Sequence, residues 1–171
     1  MKILTLCTGN VARSAMLGYM LADLADAGAQ AWHVRSAGTH VVEGLAMSSR
    51  TVEALRHLGT LGEHRYGAHR SHQIDAADVA WADVILAAEL DNVDFVRHHF
   101  PATVRNCVQL GHFVAHAPSS EALSEQLRVV ALVPPGRHLD VVDPAGADQA
   151  VYDACAAQLW ELARAFATLV A

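Results

Sequence analysis

Lys2-Ile3-Leu4-Thr5-Leu6-Cys7-Thr8-Gly9-Asn10-Val11-Ala12-Arg13-Ser14 is the stretch that decides the fold. The apolar run from Ile3 to Leu6 has the length and character of a buried strand, and Ala15-Met16-Leu17 onward has helical character. Residues 7–13 are therefore expected to form a strand-to-helix loop that ends at a helix N-terminus. Such a loop turns several backbone N–H groups into one concavity and adds the positive end of the helix dipole, a ready site for an oxyanion. At its floor is a thiol, Cys7, and six positions on is a guanidinium, Arg13. A helix N-terminus and a nearby arginine favour the anionic, nucleophilic form of a thiol. Arg13 can hold two oxygens of a phosphate-like group at once. Gly9 permits a tight turn, and Asn10 is a residue type that tolerates positive φ. Ser14 either donates to the Cys7 sulfur or caps the helix. Alone, Cys7 would read as a structural cysteine at a strand end; the Arg13-Ser14 spacing makes it a nucleophile candidate.

The rest of the chain alternates strands and helices. Strands are expected at about 2–6, 32–36, 83–88 and 107–110. Helices are expected at about 13–27, 46–58, 90–100 and 147–170, with Gly59 and Pro101 as stops. Residues 59–69 and 140–146 read as loops, and Pro134-Pro135-Gly136 as a breaker. This order implies an α/β domain, a four-stranded parallel sheet covered by helices on both faces, spanning residues 1–171. Sites in such sheets lie at the carboxyl ends of strands, where Cys7 falls. Tyr152, Trp160 and Phe166 are candidate core positions of the last helix. Cys107 and Cys155, in apolar surroundings, read as core packing.

Composition narrows the class. The chain has 171 residues, 53% of them hydrophobic, which suffices for one well-buried core. A net charge of −6 gives no reason to expect nucleic acid or an anionic membrane as partner. No signal peptide or bilayer-length apolar run is visible, so a cytoplasmic location is expected. Three dispersed cysteines do not make a disulfide framework, and a reducing compartment suits a catalytic thiol. Among the eleven histidines, His98-His99, His69 with His72, and His112 with His116 have ligand-like spacings, but none joins a dense Cys/His/carboxylate set. No metal and no cofactor are expected.

These motifs resemble the low-molecular-weight protein tyrosine phosphatases. Cys7-Thr-Gly-Asn-Val-Ala-Arg13-Ser14 is similar to the family's phosphate loop. Ser36-Ala37-Gly38-Thr39, His69-Arg70-Ser71-His72-Gln73 and Asp143-Pro144 follow in family order. The interval of about 111–140 is longer than the family leads one to expect, and forms either an added flap or helix beside the site or a surface excursion. The resemblance implies a flavodoxin-like fold and hydrolysis of phosphomonoesters through a phosphocysteine intermediate. Cys7, Arg13 and Asp143 are the implied catalytic residues, and the loop Thr8, Gly9, Asn10, Val11, Ala12 and Arg13 the phosphate cradle. Asn10, Ser14, Ser36 and His69 are the implied supporting network. On the residues alone, Ser36 also reads as a strand-end hydroxyl and His69 as a solvated loop histidine.

A thiolate attacking phosphorus needs an acid for the leaving oxygen and then a base for water. Asp143 fits both tasks, and Pro144 stiffens its loop. On its own, Asp143-Pro144 is an ordinary turn. Asp140 is the neighbour most easily mistaken for the acid, while Asp148 and Asp153 suit the start of the last helix. The implied substrate is a phosphorylated protein (phosphotyrosine) or a small aryl phosphate, with inorganic phosphate as product, acted on by a monomer or weak dimer. Two departures bear on this substrate. Ala145-Gly146 stands where the family carries aromatics after the acid motif, and His40-Val41-Val42 where it carries a bulky wall. Position 12 is Ala rather than a second loop cysteine, so no protective disulfide can form there. Two alternatives remain: an arsenate reductase that uses a small thiol, and a phosphate-binding module without catalysis. The thioredoxin-coupled kind of reductase is disfavoured, because residues 87–99 contain no cysteine.

Overall fold

A computed structural model describes residues 1–62, 64, 66–101, 106–119 and 121–171. Its elements run β1 (Lys2–Cys7), α1 (Arg13–Ala27), β2 (His33–Gly38), α2 (Ser49–His57), α3 (Ala76–Trp81), β3 (Val84–Ala87), α4 (Leu90–His99), β4 (Cys107–Gln109), α5 (Leu110–His116), α6 (Leu123–Val130) and α7 (Gln149–Leu169). The sheet order is β2-β1-β3-β4 and all pairs are parallel. The register sets Cys7 opposite Gly38 and Leu6 opposite Ala87, so the carboxyl ends of the three neighbouring strands lie level.

The strands β1, β3 and β4 are buried on both faces after Lys2, while the edge strand β2 is buried only at Ala37 and Gly38; side chains alternate between the faces as the two-residue strand period requires. Ile3, Val84 and Leu86 join a core with Met16, Leu17 and Met20 of α1, Phe113 of α5, and Leu159 and Phe166 of α7. Leu4, Leu6, Ile85 and Ala87 join a second core with Val79 of α3 and Val93 and Val96 of α4. Tyr152 is buried as expected, Trp160 half-buried against the first core, and Cys107 and Cys155 are core residues. No helix among the described residues is long and apolar enough to cross a membrane.

Several boundaries differ from the sequence expectation. α2 begins at Ser49 rather than near residue 46, because the Ser48 hydroxyl accepts from Thr51 N at 3.1 Å and caps the helix there. β4 stops at Gln109 and passes directly into α5. Three helices were not individually placed from the sequence, although a helix within 111–140 was one expectation. The signal for α3 is present as Asp75-x-x-Asp78, which forms a reciprocal capping box. The interval 111–140 forms most of α5, then α6 and a 3-10 turn at Arg137–Leu139. Its end passes so close to α5 that a Cβ on Gly111 would collide with the Leu139 carbonyl. The expected loop 59–69 contains a 3-10 turn at Tyr66–Ala68; residues 63 and 65 lie outside the described residues. Asp148 caps α7 by accepting from Val151 N at 3.2 Å. Asp153 instead pairs with His57 at 3.0 Å.

Candidate active site

The loop from Cys7 to Arg13 joins β1 to α1 at the level end of the sheet. It is stitched to the chain after β2, where Thr39 N donates to Cys7 O and His40 N to Thr8 O, both at 2.9 Å. Gly38 is required for this approach, since a Cβ there would lie 2.6 Å from Thr8 O and 3.0 Å from Asn10 N. The Thr5 hydroxyl donates to Ser14 O at 2.7 Å and ties the strand to the first turn of α1.

Asn10 is the keystone of the loop. It is fully buried, and its φ of 53° is left-handed, a conformation that costs a side chain other than glycine energy. Four bonds hold it. Its N–H donates to Cys7 Sγ at 3.3 Å, and its Nδ2 donates to Ser14 Oγ at 2.9 Å. Its Oδ1 accepts from His72 N at 2.9 Å, and its carbonyl accepts from His69 Nε2 at 2.7 Å. Burial pushes the His69 imidazole toward its neutral form, against the opposing effect of the Asn10 bond, and the cation of Arg70 adds to the shift. Ser14 lies 2.9 Å from Cys7 Sγ through its Oγ, so its hydroxyl serves the thiol and not the helix end; α1 has no side-chain cap. Among the described residues the amides of Thr8, Gly9, Val11, Ala12 and Arg13 have no acceptor, which leaves five donors in the loop that begins at the sulfur.

Three members of the expected network, Asn10, Ser14 and His69, are thus in contact. Ser36 is not. It pairs across the ladder with Thr5 and lines a small groove with Gly18, Tyr19 and His69. Among the described residues it makes no hydrogen bond to the other three. The β2 register turns it toward Gly18 of α1, where a Cβ on that glycine would sit 3.7 Å from Ser36 Cβ.

Arg13 is buried to 2% exposure beside the loop. Its guanidinium pairs with Glu89 at 2.9 Å and Asp143 at 2.7 Å, and Nη1 also donates to Val141 O at 3.3 Å. Burial alone would lower the Arg13 pKa, but the bond Arg13 donates to Glu89 and the charges of Cys7, Asp143 and Glu89 outweigh it and raise the value. Burial would likewise raise the Glu89 pKa, and the bonds from Arg13, Thr8 and Asn92 bring it below the usual carboxylate range. Glu89 was not singled out in the sequence. Its signal was its place two residues past β3, at the level strand ends where sites form in such sheets. It also accepts from Thr8 Oγ1 at 2.7 Å, so it fixes both ends of the phosphate loop.

Asp143 stands on the segment before α7 with its side chain 47% exposed, and its Oδ1 accepts from Ala145 N at 3.0 Å. The buried Pro144 follows it. The arrangement brings a thiol, an acceptor-free row of amides, a buried guanidinium and a half-exposed carboxyl to one spot.

The model of the low molecular weight phosphotyrosine protein phosphatases matches residues 2–171. The chain belongs to this family. It is a cysteine-based phosphatase. A protein-arginine-phosphatase from Geobacillus stearothermophilus is 31% identical over 114 residues, 67% of this chain and 72% of the relative. Among solved structures, the arginine phosphatase of the same organism superposes with a TM-score of 0.75 at 26% identity, covering 97% of this chain and 90% of the other. The low molecular weight protein tyrosine phosphatase from T. tengcongensis superposes with a TM-score of 0.79 at 25% identity, covering 97% of each chain. The family's phosphatases thus include relatives named for two different phosphorylated side chains.

Proposed function

We propose that the chain removes phosphoryl groups from phosphorylated proteins through a covalent phosphocysteine on Cys7. The observation that carries this reading is the 2.9 Å contact of Ser14 Oγ with Cys7 Sγ in a loop whose Thr8, Gly9, Val11, Ala12 and Arg13 amides have no acceptor among the described residues. Ser14 and Asn10 N stabilise the sulfur anion, and the Thr8–Arg13 amides with the Arg13 guanidinium hold the equatorial phosphoryl oxygens. The bound phosphate replaces Asp143 as acceptor at Arg13 Nη2. In the first step the S–P bond forms, the P–O bond to the leaving group breaks, and the Asp143 carboxyl gives its proton to the leaving oxygen. In the second, the Asp143 carboxylate takes a proton from water, the water oxygen bonds to phosphorus, and the S–P bond breaks to return the thiolate and inorganic phosphate. The reducing cytoplasm keeps such a thiol in its active form.

The substrate we assign first is phosphotyrosine, with small aryl phosphates as surrogates. A specific observation supports phosphoarginine as the second reading. The positions from which aromatic walls would grip a tyrosyl ring carry the exposed Val42 and Ala145, and a relative at 31% identity is named a protein-arginine-phosphatase. The test is turnover of p-nitrophenyl phosphate, a phosphotyrosine peptide and a phosphoarginine peptide by the reduced protein, beside Cys7→Ser and Asp143→Ala. Turnover abolished by Cys7→Ser supports the mechanism, and the ratio of kcat/KM on the two peptides decides the substrate. Turnover that survives Cys7→Ser would overturn the reading.

A further inference from the structure

We propose that Asp140 is a positioning residue that latches the Asp143 segment over the phosphate loop; the proposal rests on the acid role given to Asp143 above. The sequence marks Asp140 as the carboxylate most easily confused with the acid. The geometry assigns it another task. Its Oδ1 accepts from Leu90 N at 2.7 Å, at the first turn of α4, and from Gln109 Nε2 at 2.5 Å, at the end of β4. One carboxylate oxygen therefore joins the start of α4 and the carboxyl end of β4 to the segment that carries Asp143. The neighbouring residue continues the latch, since Val141 N donates to Ala88 O at 2.8 Å, just past β3, and Val141 O accepts from Arg13 Nη1 at 3.3 Å. Gln109 is 1% exposed and uses the same Nε2 to donate to Gly136 O at 3.1 Å. Gly111, by lacking a Cβ, lets Leu139 pass against α5.

Residues 139–141 are thus held from three sides, and Asp143 follows two residues after the last tie. Among the described residues the half-exposed Asp143 side chain itself is held only by Arg13 and Ala145 N. Its reach to a leaving oxygen is set by where the latch puts the backbone. A carboxyl must lie within hydrogen-bond distance of the oxygen it protonates, so a loosened segment loses acid assistance before it loses phosphate binding.

The experiment compares kcat/KM on phenyl phosphate, whose leaving group needs a proton, with p-nitrophenyl phosphate, whose leaving group needs it far less. The variants are Asp143→Ala, Asp140→Ala, Asp140→Asn and Gln109→Met, each with its melting temperature. Asp143→Ala is expected to lower the phenyl to nitrophenyl ratio strongly. Asp140→Ala is expected to lower the same ratio about tenfold, a fraction of the ~100-fold or more that a general acid contributes. Asp140→Asn keeps an oxygen for both donors and is expected to restore the ratio. Gln109→Met removes one tie, is expected to shift the ratio less in the same direction, and serves if Asp140→Ala fails to fold. An unchanged ratio in Asp140→Ala, or in Gln109→Met where that variant must stand in, with a lowered ratio in Asp143→Ala, overturns the latch and leaves the acid standing. An equal loss on both substrates with a lowered melting temperature makes Asp140 merely structural and overturns the proposal. An unchanged ratio in Asp143→Ala overturns the acid role and the latch together.

Discussion

Replacing Asn10 by alanine tests how the phosphate loop is held. The substitution removes the fully buried bond from Nδ2 to Ser14 Oγ and the bond that Oδ1 accepts from His72 N. The first leaves a buried hydroxyl short of a partner, at about 1–3 kcal/mol, and the second costs about 0.5–1.5 kcal/mol. Alanine must also hold the φ of 53° without the local bonding that lets asparagine adopt it, at about 1 kcal/mol. The sum is about 2.5–5.5 kcal/mol, a large share of the ~5–15 kcal/mol that stabilises a typical domain. For a chain of this length, 3 kcal/mol lowers the melting temperature by about 6–12 °C. Asn10→Gly separates the two causes, since glycine loses the same bonds but adopts this φ freely. The expected order is therefore asparagine, then glycine, then alanine, the last two about 1 kcal/mol apart. Urea unfolding of the three proteins, with p-nitrophenyl phosphate turnover on each, measures it. Alanine within 1 kcal/mol of the natural residue, or as stable as glycine, would refute the reasoning.

Three further outcomes are expected. Glu89→Gln leaves Arg13 with Asp143 as its one carboxylate partner among the described residues, and should cost about 1–3 kcal/mol because a buried charged group loses part of its compensation; urea unfolding checks the stability, and kcat/KM on p-nitrophenyl phosphate should fall together with it. His69 has a lowered pKa in the fold, so the unfolded chain takes up its proton first as pH falls. Its contribution is complete above the ordinary histidine value and is lost as pH drops through the lower folded value, so unfolding free energy against pH should show an acid-side loss that His69→Gln reduces. Burial raises the thiols of Cys107 and Cys155 to about 12, so iodoacetate near neutral pH should label Cys7 alone, with inorganic phosphate protecting it; peptide mapping that finds label on Cys107 or Cys155 in the folded protein contradicts this.

The sequence showed the site better than it showed the envelope around it. The Cys7–Ser14 stretch was legible because an oxyanion loop has few solutions: a strand end, a glycine, a residue able to take positive φ, and a helix start. Asn10 takes that positive φ, and Cys7, Arg13 and Asp143 come together. Glu89 was not legible, because a single acid after an apolar strand looks like any helix start until the β1–β3 register sets it beside Arg13. The contacts of Ser36 were not legible, because a motif fixes a residue's place along a strand but not which group its side chain meets. The short helices α3, α5 and α6 have too few turns for a clear apolar period, and tertiary packing decides them. Asp140 was noticed only as a competitor of Asp143; its bonds to Leu90 and Gln109 join segments far apart in sequence, which no local pattern reveals.

The most direct test of the account is to capture the covalent intermediate. Asp143→Ala, which lacks the base for the second step, is mixed with p-nitrophenyl phosphate, quenched in acid, digested and mapped by mass spectrometry. The account expects one added phosphoryl group, on the peptide that contains Cys7, and none in Cys7→Ala. A phosphoryl group on another residue, or turnover with none on Cys7 at any time after mixing, would contradict it.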